Sequence, residues 1–282
     1  GKCRYLKWVS YSITNPKYRE RVVEKIDDPI VKAFWTKEFP GYHSRLQSEA
    51  MAPIQNKVGQ FLTMPLIRNI VGQVRSSIDF RKVMDAGKIL ICNLSKGRLG
   101  EENSSLLGSL VVTKLQLAAM ERIDISEDSR RDFYLYVDEF QNFVSTEIFS
   151  HILSEARKYR LNLTIAHQYL WQLDRDIMES VFGNVGTMIS FRIGSRDAEL
   201  LAELFRPIFA RDDFINLDRY MIYLRMAIDG KSSQPFSART LPPFRGYEFQ
   251  GNREKIIKVS RERYASGREV MESKIKRWAG SF

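Results

Sequence analysis

From Lys88 onward the chain alternates short apolar runs with helical stretches, and this alternation limits the possible folds more than any other feature. Lys88–Leu94 (KILICNL), Phe133–Phe140 (FYLYVDEF), Leu161–Gln168 (LNLTIAHQ) and Val185–Ile193 (VGTMISFRI) are nearly continuous apolar runs. That pattern predicts strands covered on both faces. Between them, Leu106, Leu107, Leu110, Val111, Leu115, Ala118 and Ala119 follow a helical repeat, with Ser104 or Ser105 as its cap. Ile148, Phe149, Ile152, Leu153, Ala156 and Tyr159 do the same after Ser145 or Thr146, and Ile177, Met178, Val181 and Phe182 after Asp174. Asp197 opens a further helix through Phe209, and Met221–Ile228 reads as a late strand. Strands separated by helices imply right-handed crossovers and a mainly parallel, helix-flanked sheet, so the expected class is α/β.

The first 80 residues have a different grammar. Pro16, Pro29, Phe39-Pro40-Gly41, Pro53 and Pro65 punctuate helical stretches without strand signals. Asp27 and Asp28 before Pro29 predict a capped helix start, and Leu62–Val74 another short amphipathic helix. From Gly251 the text is polar and basic, with Tyr264 and Trp278 interleaved, and reads as a helical tail. The expected division is an all-α segment over 1–80, an α/β core over 81–245 and a basic helical tail over 246–282.

Net charge sharpens this division. The chain carries 44 Lys and Arg against 34 Asp and Glu, a formal +10, which suits a polyanionic partner. Gly1–Lys25 and Gly251–Phe282 each contribute +5, and Ile26–Gln250 is balanced at 28 against 28. The terminal excess reads either as solvated basic helices or as a grip on phosphate, for which Arg261, Arg263, Lys274, Lys276 and Arg277 are the candidates. Cys3 and Cys92 are too few for a disulfide framework, which fits a reducing compartment. No apolar stretch reaches the length of a membrane span, and Lys2, Arg4 and Lys7 precede no signal-peptide core. His43, His151 and His167 are widely spaced without Cys partners, which argues against a zinc site.

In parallel sheets the chemistry collects at the carboxyl ends of the strands. The Phe133 run ends in Asp138-Glu139, which reads as a solvated turn or as a metal-associated acid followed by a base that polarises water. The next run ends in His167-Gln168; Gln168 is an ordinary strand-end residue or a γ-phosphate sensor, and His167 reads first as packing. Arg157 sits in the basic stretch Glu155-Ala156-Arg157-Lys158-Tyr159-Arg160. There it either answers a helix dipole or acts as an arginine finger on a neighbouring subunit's nucleotide. Arg192 and Arg196, and Tyr169 and Trp171, read as interface or core residues.

Taken in order, these residues resemble a known family. The strand into Asp138-Glu139, the helix ending Ser154-Glu155-Ala156-Arg157-Lys158-Tyr159 and the strand into Ala166-His167-Gln168 are similar to the HerA/FtsK superfamily. Within it they are most similar to the TraD/TraG-type coupling proteins of conjugation and type IV secretion. Lys88–Gly97 ahead of Gly100 and Gly108, and Gly183–Thr187 leading into Ile189–Arg192, extend the resemblance over roughly 20 to 245. It implies a RecA-like sheet, ATP and Mg²⁺ as cofactors, a hexameric assembly, DNA as partner and contact with type IV secretion or relaxosome components. By motif it implies Asp138 as the Mg²⁺-associated Walker B acid, Glu139 as catalytic base, Arg157 as trans-acting finger and Gln168 as sensor. The first 80 residues resemble the helical insert of these proteins. The expected location is the cytoplasm, or the cytoplasmic face of the inner membrane for an anchored full-length protein.

One part of the family pattern is missing. No G-x-x-x-x-G-K-[S/T] loop occurs: Gly230-Lys231-Ser232 follows Arg225 where a glycine belongs, Gly87-Lys88 runs into Ile89, and Gly1-Lys2 is followed by Cys3. The expectation is a sequence that begins after the Walker A half of a longer subunit, and a polypeptide that alone binds ATP weakly or not at all. A different class of function fits the same residues: a non-hydrolysing DNA-binding or substrate-docking module of a secretion apparatus.

Overall fold

The structure, a computed structural model, describes residues 15–73, 75–143, 152–153, 155–242 and 251–279. In chain order its longer helices are α1 (Pro16–Val23), α2 (Ser44–Thr63), α3 (Pro65–Val71), α4 (Phe80–Asp85), α5 (Glu101–Met120), α6 (Arg175–Asn184), α7 (Ser195–Leu204), α8 (Arg211–Ile215), α9 (Asn252–Tyr264) and α10 (Arg268–Ala279). The strands are β1 (Phe133–Val137), β2 (Leu161–Ile165), β3 (Met188–Ser190), β4 (Met221–Arg225), β5 (Ala227–Ile228), β6 (Lys231–Ser232) and β7 (Phe236–Arg239). Contacts divide the chain into two compact units, Gly1–Asp79 together with Gly251–Phe282, and Phe80–Gln250. The expected cap at Ser145 or Thr146, with Ile148, Phe149 and His151, lies outside the described residues.

Within the first unit the described residues are helical. Asp28 caps the turn Pro29–Ala33 as its sequence predicts: its Oδ1 accepts the amides of Ile30 (2.9 Å) and Val31 (3.2 Å). The chain then passes through one wide turn, Phe34–Glu38, which brings Phe34, Trp35 and Tyr42 around the buried ring of Phe39. α2 runs through Pro53, where the punctuation predicts a break; the helix continues although proline removes an amide donor and crowds the carbonyl one turn back. α3 and α10 pack through buried Ile67, Val71 and Met271. Asn69 donates to Glu272 at 3.3 Å, and the Ser77 hydroxyl donates to the Tyr264 carbonyl at 2.5 Å.

The second unit is mixed α/β. β1 and β2 pair in parallel with Phe133 opposite Leu161 and Val137 opposite Ile165. α5 covers one face of the pair, and Val112, Leu115, Ala118 and Ala119 join Met84, Ile152, Ala156 and Leu161 in one core. Close approach explains Gly108 on α5, because a Cβ there would lie 2.1 Å from the Phe143 ring. Ser104 and Ser105 are not caps. α5 starts earlier, at Glu101 after Gly100, and the two hydroxyls instead bind the carbonyls of Leu94 and Asn142.

The α/β class holds, but the described residues do not form a mainly parallel sheet: among them only β1 and β2 are parallel. β3, β4 and β7 form a separate antiparallel sheet, and β5 with β6 a short hairpin. The reason lies in the β3–β4 connection. α7 and α8 pack on each other through Ala198, Ala202, Phe205 and Phe214, instead of crossing the sheet, so the chain re-enters beside β3 in the opposite direction. Lys88–Leu94 is extended but joins no ladder. Leu90 packs on the α5 core while Ile89 and Ile91 stand 91% and 82% exposed, so the run is not covered on both faces. Gly230-Lys231-Ser232 forms the turn and return strand of the β5–β6 hairpin, with Asp229 and Gly230 at positive φ, a geometry unrelated to a phosphate loop.

Candidate functional site at the carboxyl ends of β1 and β2

Parallel in-register pairing brings the two strand ends out side by side. The ladder continues past β1, with the Ala166 amide on the Val137 carbonyl (3.0 Å) and the Phe140 amide on the Ala166 carbonyl (3.2 Å). Asp138-Glu139 and Ala166-His167-Gln168 therefore leave the sheet as neighbours. Glu139 has a left-handed backbone, φ 49° and ψ 47°, which a non-glycine residue adopts only when its surroundings hold it. The turn lets Phe140, fully buried, enter the core while Glu139 remains at the surface. Besides the Asn142 amide on its carbonyl (3.0 Å), four hydrogen bonds that involve a side chain fix it. Its amide donates to Asp138 Oδ1 (3.1 Å), and its carbonyl accepts from Asn142 Nδ2 (3.0 Å). Its carboxylate accepts from Gln168 Nε2 at 2.6 Å on one oxygen and from Gln141 Nε2 at 2.7 Å on the other.

Around this centre the network reaches the start of α5. Lys96 donates to Asn142 Oδ1 at 3.0 Å and to Glu101 at 2.7 Å, and holds the Glu101 carboxyl below its ordinary pKa, mainly through that hydrogen bond. His167 packs edge-on against Phe140, with ring centroids 5.4 Å apart, and burial pushes its pKa below the ordinary histidine value. Asp197, buried at the first turn of α7, accepts the Leu170 amide at 3.0 Å and so anchors the turn that follows Gln168. Gln141, Asn142, Lys96 and Asp197 are the site residues that pattern reading passed over. The run Asp-Glu-Phe-Gln-Asn carried a signal for two of them, since amides two and three residues after an acid reach back to it in a tight turn.

A cleft of about 970 Å³ opens at this point. Asp138, Glu139, Gln168 and Lys96 line it, together with apolar walls that include Leu90, Val112 and Leu135. The fit to Mg²⁺ and a triphosphate is partial. Asp138 and Glu139 supply the carboxylates for a metal shell and for water, but the sequence holds no glycine-rich phosphate cradle. Among the described residues, Arg157 is not part of the cleft. It lies in the 3₁₀ turn Ala156–Tyr159 at the amino end of β2, one strand length or about 17 Å from the end that leads to Gln168. Exposed, it forms no ion pair among the described residues. Arg261 and Arg263 sit in the last turn of α9, and Lys274, Lys276 and Arg277 on α10, all exposed and all in the helical unit.

Residues 132–205 match the family described as the TraM recognition site of TraD and TraG. The match spans about a quarter of the chain and begins one residue before β1. It runs past Glu139, Arg157 and Gln168 to the end of α7. It points to a coupling protein of the TraD/TraG type, in conjugative transfer. A search of curated proteins finds no match. No helix among the described residues is long and apolar enough to cross a membrane.

Proposed function

We propose that the α/β unit is the Walker B half of an ATP-driven DNA-translocating motor of conjugation and type IV secretion. The observation that carries this reading is the 2.6 Å contact between Glu139 and Gln168 at the ends of two parallel strands, with Asp138 beside it. In this reading Asp138 would hold the water shell of Mg²⁺, and Glu139 would accept a proton from the attacking water once Gln168, turning towards the γ-phosphate, has left one carboxylate oxygen free. Bound Mg-ATP would supply the electrophilic phosphorus and the charge neutralisation. Its phosphate cradle would come from a loop outside the residues described. Arg157, a strand length away, serves the nucleotide of a neighbouring subunit, in keeping with a ring of subunits, a hexamer by resemblance. DNA is the cargo, with Arg261, Arg263, Lys274, Lys276 and Arg277 as phosphate contacts. The family description adds a TraM-type relaxosome protein as partner; the cytoplasmic face of a membrane is the place this reading assigns to the assembly.

The test is Glu139→Gln in the assembled motor. Hydrolysis is expected to fall about a hundredfold or more with ATP binding retained. Loss of binding, or full activity, would defeat the reading. A second reading, a docking module without hydrolysis, draws on the missing phosphate loop and the basic helical unit. ATP hydrolysis by the assembled motor that is lost in Glu139→Gln would exclude it.

A further inference from the structure

The α/β unit contains an arginine cluster that neither the motif pattern nor the proposed chemistry uses. Arg122, at the end of α5, is fully buried, and its Nε lies 3.0 Å from an Asp85 carboxylate oxygen. Its two terminal nitrogens donate to main-chain carbonyls, Nη1 to Tyr159 (2.9 Å) and Nη2 to Arg131 (2.5 Å). Arg130 acts beside it. Its Nε donates to the carbonyls of Ile125 (2.9 Å) and Arg122 (3.1 Å), its Nη1 donates to the Lys158 carbonyl, and its guanidinium lies 5.6 Å from the Tyr159 ring centroid. The Arg160 carbonyl accepts the Phe133 amide at 2.9 Å. Three successive carbonyls, 158 to 160, are thus gripped from the stretch 122–133.

Those carbonyls close the turn that carries Arg157. A buried guanidinium is costly, and here two of its nitrogens donate hydrogen bonds while the third faces the Asp85 carboxylate; a polar side chain or water would have sufficed merely to satisfy the end of a turn. What arginine adds is a planar fork whose contacts are fixed relative to one another. Arg157 is the complement: its backbone is followed immediately by three anchored carbonyls, and its own side chain stays exposed and without an ion pair among the described residues. We propose that Arg122, held by Asp85, and Arg130 are positioning residues that set the direction of Arg157. This rests on the reading of Arg157 as an arginine finger.

Two measurements test it. In the 282-residue chain, amide exchange of Arg160, whose N–H bonds the Arg157 carbonyl at 3.0 Å, is expected to speed about tenfold in Arg122→Lys. Unchanged exchange overturns the proposal. In the assembled motor, Arg130→Lys and Arg122→Lys are expected to lower hydrolysis about tenfold or more. Mixing either with Glu139→Gln subunits should recover part of it, because the two defects then fall on different sides of an interface. Simple destabilisation would not be complemented in this way, so a loss without recovery, or full activity in both variants, overturns the proposal. Arg157→Ala separates the two levels. Full activity in that variant removes the finger reading and the proposal with it, whereas a loss in Arg157→Ala beside normal Arg122→Lys and Arg130→Lys removes the proposal alone.

Discussion

The helical unit and the α/β unit contain equal numbers of cations and very different net charges. Residues 1–79 with 251–282 hold 22 Lys and Arg against 11 Asp and Glu, and residues 80–250 hold 22 against 23. The two ends of the sequence, each basic, are therefore ends of one compact unit, and the excess is a property of that unit. In the α/β unit arginines are spent internally. Arg81 binds Asp124 and the Glu121 carbonyl just after α5, Arg122 and Arg130 bind Asp85 and carbonyls there and in the turn before β2, and 23 acids leave the unit no net positive charge to attract a polyanion. The same residue type serves long-range attraction in one unit and local architecture in the other.

This contrast is most exposed to test through nucleic acid. Replacing Arg261, Arg263, Lys274, Lys276 and Arg277 with Ala in the full chain should weaken duplex DNA binding by orders of magnitude at low salt. The dependence of log affinity on log salt should flatten by up to about 4.5, at roughly 0.9 per phosphate contact. Replacing the exposed Arg175, Arg206 and Arg219 of the α/β unit should leave affinity nearly unchanged, and equal losses from both sets would erase the distinction. A smaller effect probes packing in the α/β unit. Gly108→Ala pushes a methyl against Phe143 and should cost about 1–2 kcal/mol in urea unfolding after the helix-propensity gain, with Phe143→Leu relieving it. In the helical unit Asp28→Ala removes a cap and should cost about 1 kcal/mol, with Asp28→Asn close to neutral.

The smallest effect is a pH dependence confined to the α/β unit. Burial lowers the pKa of His167, so the unfolded chain binds this proton more readily than the folded one. The stability contributed by the neutral ring is complete above the ordinary histidine pKa, about 6.5, and is lost as pH falls through the folded value. The melting temperature should drop from about pH 7.5 to 5.5, and His167→Gln should flatten the drop. An identical profile in the variant would assign the dependence to another group.

Local signals were legible where they depended on neighbours in sequence. The Asp28 cap, the paired strands at Phe133 and Leu161 and the meeting of Glu139 with Gln168 follow from apolar runs and the residues that end them. Features set at a distance were not. The direction of β4 depends on α7 and α8 packing together, and the unpaired Lys88–Leu94 depends on which face α5 covers. Gln141 and Asn142 enter the site because Glu139 takes a left-handed turn to bury Phe140, a demand that no propensity encodes. Arg122 reads as an ordinary helix-end cation until its partners at 85, 131 and 159 are known.

The register of β1 on β2 has one more consequence. Glu139 follows Val137 by two residues and Gln168 follows Ile165 by three, so their contact depends on the number of residues in each arm. Removing one residue from either strand would slide that arm by about 3.3 Å and turn its side chains to the opposite face. Substitution within the strands is a matter of size and polarity, but a change of length would disconnect the acid from the amide even if every residue at the site were kept.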